Sequence, residues 1–113
     1  MKIIKDALKL DELKQMAEQR FGNLVKAVVD IDRELMAVDA ELHADLETLL
    51  LEDGSTQKSL WGINLYPELT GNDFIEFDSM INMRPSQANR SRGVEDEAIR
   101  KKIISIVEKR LAR

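Results

Sequence analysis

Between Asp11 and Phe21 the apolar residues Leu13, Met16, Ala17 and Phe21 recur every three or four positions, with Glu12, Lys14, Glu18 and Gln19 on the other side. That period predicts an amphipathic helix, and Gly22 provides a left-handed stop. The pattern then changes to period two. Across Leu24 to Ile31, Val25, Ala27, Val29 and Ile31 alternate with Lys26 and Asp30, which predicts a strand rich in β-branched residues. Leu35 to Val38 reads as its return strand, although the turn lacks an Asn-Gly pair. Leu42, Leu46, Leu49 and Leu50 restore helical spacing, and Gly54 is the next stop. Ser59 to Tyr66 alternates again, Trp61, Ile63 and Leu65 opposing Leu60, Gly62, Asn64 and Tyr66. Gly62 is small enough to accommodate a bulge or a close neighbour.

A further strand is predicted from Phe74 to Arg84. Ile75, Phe77, Ser79, Ile81 and Met83 share one side of its pleat, and Glu76, Asp78, Asn82 and Arg84 the other. Pro85 ends it, because proline cannot donate to a ladder and holds its predecessor extended. Pro67, Gly71 and Asn72 form a turn cluster, so this strand and the one before it make an antiparallel hairpin. A last helix spans about Glu95 to Leu111 on the stripe Ile99, Ile103, Ile106, Val107 and Leu111. Glu95, Asp96 and Glu97 open it and Lys109, Arg110 and Arg113 close it, as the macrodipole favours. Met1 to Lys5 is a short strand or an arm. The order fits a single α+β domain over residues 1–113, a two-layer fold whose antiparallel sheet of four to five strands carries about three helices on one face. The other face would then present Lys26, Asp30, Asn64, Tyr66, Glu76, Asp78, Asn82 and Arg84 to solvent or a shallow site.

Composition narrows the partners. The 113 residues carry a net charge of −4, which argues against nucleic acid and against an anionic membrane surface, since both rely on a broad positive field. Cysteine is absent, so thiolate chemistry and disulfides are excluded and a reducing compartment is permitted. The amino-terminal MKIIKDALKL has no signal-like apolar core, and the expected location is cytoplasmic.

Charge is nevertheless uneven. From Ser79 to Val94 there is no carboxylate, while Arg84, Arg90 and Arg92 stand among Ser86, Gln87, Asn89 and Ser91. Guanidinium forks suit phosphate or carboxylate, so Arg84, Asn89, Arg90 and Arg92, with Glu76, Asp78 and Asn82 on the strand, are the candidate ligand-binding residues. The competing reading is structural: loop arginines bond neighbouring carbonyls or pair with Glu76 and Asp78. His43, the sole histidine, reads as a solvated or capping residue, because HExxH spacing is missing and a metal needs ligands converging from several elements. No serine has an evident base, and Asp53-Gly54-Ser55 reads as a helix terminator. No metal or cofactor is expected.

LLLEDGS, LWGINLYPE and IEFDSMINMRPSQANRSR together resemble a small prokaryotic family classed as a domain of unknown function, over almost the whole chain. The resemblance implies a stand-alone small protein and transfers no catalytic residue, cofactor or substrate. The residues themselves point to a noncatalytic binding or interaction module using the arginine-rich loop, with a protein or an acidic peptide as its partner, or with the strand edge and loop closing a homodimer. The alternative is a small enzyme or anionic-ligand-binding protein in which Glu76 or Asp78 acts as base while Arg84 and Arg90 hold an anionic small molecule.

Overall fold

A computed structural model describes residues 1–112. The elements are β1 (Lys2–Ile4), β2 (Leu8–Lys9), α1 (Leu10–Gln19), β3 (Val25–Asp30), β4 (Leu35–Val38), α2 (His43–Glu52), β5 (Leu60–Leu65), β6 (Ile75–Glu76), α3 (Glu97–Arg110) and β7 (Leu111–Ala112). Five of the strands form one antiparallel sheet in the order β1, β4, β3, β5, β6. β2 and β7 make a separate parallel pair, Leu8 opposite Leu111. The α+β class, the five-stranded antiparallel sheet and the three helices are as the sequence predicts.

The helices divide between the two faces, which corrects the expectation that all lie on one. Val25, Ala27 and Val29 of β3 and Trp61, Ile63 and Leu65 of β5 pack with Leu13, Met16 and Ala17 of α1 and with Ile103, Ile106 and Val107 of α3. On the opposite parity, Val28, Leu35, Ala37 and Leu60 pack with Leu46 and Leu50 of α2. Burying each of these leucines contributes about 1.5–3 kcal/mol, so α2 is held by its own small core. Phe21 stays outside either core at 41% exposure.

The β3–β4 turn forms without Asn-Gly because Asp30 organises it. Its carboxylate accepts from the backbone N–H groups of Asp32 and Arg33, both at 2.9 Å, and from the Ser55 hydroxyl at 2.6 Å. Glu34 takes the left-handed conformation, with φ 56°.

The predicted strand from Phe74 to Arg84 is also corrected: only Ile75–Glu76 pair with β5, and Met80–Asn82 is a 3₁₀ turn. Ser79 diverts the chain. Its N–H donates to Arg92 O at 2.9 Å, and its hydroxyl accepts from the Ile81 N–H at 3.3 Å, which starts the 3₁₀ turn. Met80, 64% exposed, therefore leaves the sheet altogether. The backbone it would have continued is replaced by a side chain. The Asn82 carboxamide accepts from Gly62 N–H at 2.8 Å and donates to Gly62 O at 2.9 Å, as a neighbouring strand would.

Candidate functional site

The arginine loop is held together largely by its own polar groups. Asn89 is buried, and its amide donates to Asn82 O at 2.7 Å and Gly93 O at 2.8 Å, while its side-chain oxygen accepts from Glu95 N–H at 2.8 Å. The Arg84 guanidinium donates to the Gln57 and Leu60 carbonyls and stacks 4.4 Å from the Trp61 ring centre. Burial lowers its pKa from the ordinary arginine value, partly opposed by the Glu47 carboxylate. Arg92 bonds Asp78 at 2.7 Å. Arg90 has an exposed side chain, and its backbone N–H donates to Glu95 at 2.6 Å. The bond from Ser91 N–H, and then that from Arg90, hold the Glu95 carboxyl below its ordinary range.

Glu76 and Asp78 lie at the other end of β5 from Arg84. Lys26, Asn64 and Glu76 stand in one cross-strand row, and Glu76 accepts from Asn64 at 2.8 Å and from the Tyr66 hydroxyl at 2.9 Å. Burial and the Glu76 bond raise the Tyr66 pKa. Arg84 instead reaches Leu60 O, four residues back along β5, or ~13 Å at ~3.3 Å per residue. The loop thus brings Asp78 to Arg92 and Asn82 to Asn89, but does not bring Glu76 to Arg84 or Arg90.

His43 opens α2 above this polar corner and is 8% exposed, which corrects its reading as solvated. Its Nε2 lies 2.8 Å from Ile63 O, and since a carbonyl only accepts, Nε2 carries the proton. Burial lowers its pKa, opposed in part by that bond. Among the described residues no group of three or more histidine or acidic side chains could hold a metal. No helix among them is long and apolar enough to cross a membrane.

The other face of β6 borders a groove of about 830 Å³. Its apolar wall comes from Phe74, Ile75, Phe77, Ile104, Val107 and Leu111. Glu97, Arg100 and Glu108 bring charge to it from α3. The Arg100 guanidinium lies 4.4 Å from the Phe77 ring centre and donates to Val94 O at 3.3 Å. This volume falls within the range of ~300–1,000 Å³ usual for ligand pockets. Sequence reasoning missed it, because Phe77 reads as an ordinary member of a strand's apolar face, Ile104 falls outside the stripe of the last helix, and nothing in their spacing says that two elements stand apart.

The fold and its groove define a small three-layer α+β protein with a five-stranded main sheet and a ligand-sized concavity beside an edge strand. The chain belongs to the family described as "Protein of unknown function (DUF5674)", whose model matches residues 2–110. No curated protein and no solved structure matches the chain.

Proposed function

We propose that the protein is a noncatalytic binding module whose ligand surface is the groove between α3 and β6 rather than the arginine loop. The observation that carries this reading is the groove itself, about 830 Å³ with an apolar wall that includes Ile104 at 37% exposure. The loop's amides and two of its three arginines are engaged by the protein's own groups, and Arg90 is the one whose side chain makes no hydrogen bond or close ion pair among the described residues.

Nile red, a neutral apolar dye, tests the reading. Binding should be abolished by Ile104→Asp, which replaces a partly exposed side chain and should leave the melting temperature nearly unchanged. Arg90→Glu should leave dye binding as it is. Dye binding that survives Ile104→Asp would move the site elsewhere.

A further inference from the structure

The groove runs beside an edge of the sheet whose hydrogen-bonding capacity is only partly used. Tyr66 N–H donates to Phe74 O at 2.9 Å, and Leu65 stands opposite Ile75 in the register. In an antiparallel ladder the inward-bonding residues alternate, so Phe74 and Glu76 face β5 and the N–H and C=O of Ile75 face outward. β6 is the last strand of the sheet, and among the described residues no segment pairs with Ile75 on that side. Further along the same edge the protein does so itself: Ser79 N–H bonds Arg92 O at 2.9 Å, and Gly93 passes close to Phe77 O. The edge is thus covered at one end by a returning segment and open at Ile75.

Charge indicates what would complete it. Glu97 and Glu108 both line the groove, and neither has an ion pair or hydrogen bond from its side chain among the described residues. Eleven positions at 100° each bring them back to nearly the same helix face, separated by ~16 Å along α3. Arg100, the one cation lining the groove among the described residues, is stacked on Phe77 and bonded to Val94 O, so the described rim is net acidic. Same-face positions six residues apart on an extended strand lie ~20 Å from each other, within side-chain reach of the ~16 Å separation on α3.

We propose that the groove receives an extended peptide that adds a strand to β6 through Ile75, places apolar side chains against Phe77 and Ile104, and carries a basic residue toward each of Glu97 and Glu108. This rests on the groove being the binding surface. Strand addition draws affinity from main-chain hydrogen bonds and specificity from alternate side chains, the two things this edge and this groove offer together.

The test uses the peptide Ac-KTVTVTK-NH2, whose lysines and valines share one face of a strand, its acidic counterpart Ac-ETVTVTE-NH2, and the basic peptide methylated on its backbone nitrogens. Titrations followed by amide NMR should show the basic peptide shifting the Ile75 amide resonance and slowing its hydrogen exchange. The acidic peptide should bind roughly fivefold or more weakly, and the Glu97→Gln, Glu108→Gln variant should remove that preference. Backbone methylation should cost about tenfold or more. Equal binding of the basic, acidic and methylated peptides, all lost in Ile104→Asp, would overturn strand addition while leaving the groove as the binding surface. Failure of Nile red and of every peptide to bind would overturn both readings.

Discussion

The Asn82 carboxamide stands beside Gly62 as a peptide group would, accepting from its N–H at 2.8 Å and donating to its carbonyl at 2.9 Å. β6 has already left β5 by this point, so one side chain satisfies backbone that the missing strand would have paired. The same amide donates to Arg92 O at 3.0 Å, tying the returning loop to the sheet. Asn82→Ala leaves these buried groups unsatisfied and opens a void, and should destabilise the fold by about 3 kcal/mol in urea denaturation. Asn82→Asp should do no better, because a carboxylate oxygen would replace the donor facing two carbonyls.

Gly62 is required for a second reason. A Cβ on it would lie 2.5 Å from Ser79 Cβ and 2.6 Å from Ser79 Oγ. Gly62→Ala should therefore cost about 1–3 kcal/mol through overpacking. Ser79→Gly, introduced into that variant, should recover part of the loss. A double-mutant cycle that gave simple additivity would contradict direct contact between the two positions.

Arg84 links the loop to the start of β5 through a two-pronged contact and a ring face. Lysine has the charge without the planar fork, so Arg84→Lys should lower stability by about 1–2 kcal/mol. Trp61, whose ring lies under the guanidinium, should report the change by a shift in its fluorescence emission.

His43 makes stability depend on pH. Burial depresses its folded pKa, while the unfolded chain titrates at the ordinary value of about 6.5. Below that value the unfolded state binds the extra proton first. The protein should thus have its full stability above the ordinary histidine range and lose it as pH falls through 6.5 toward the lower folded pKa. Urea midpoints at about pH 7.5 and about pH 5.5 bracket the window. His43→Gln, which can still donate to Ile63 O, should reduce the difference between them.

The amphipathic stripes were legible because each marks one side of an element: Leu13, Met16 and Ala17 on α1, and Ile103, Ile106 and Val107 on α3, are all buried. The parity of β3 and β5 was legible for the same reason. The second core was signalled less directly. Val28, Ala37 and Leu60 put apolar groups on the side expected to be wet, and strands buried on both faces read as continuous apolar runs. The ending of β6 was not legible, because Ile75 through Met83 keeps strand periodicity while Ser79 and Asn82 redirect the chain through hydrogen bonds that no periodicity encodes. The site residues were half legible. Asp78 and Arg92 do meet, but Asn82 and Asn89 look from sequence like free donors, and only the fold shows which carbonyls they serve.

The parallel pairing of Leu8 with Leu111 joins positions separated by nearly the whole described chain. On the ribosome the segment around Leu8 emerges about 100 residues before its partner, so this closure has to await exit of the segment around Leu111 from the tunnel. Such long-range closure slows folding and prolongs exposure of unburied surface. Until then the nascent chain would hold the β2 edge uncovered, a state in which chaperone engagement has time to occur.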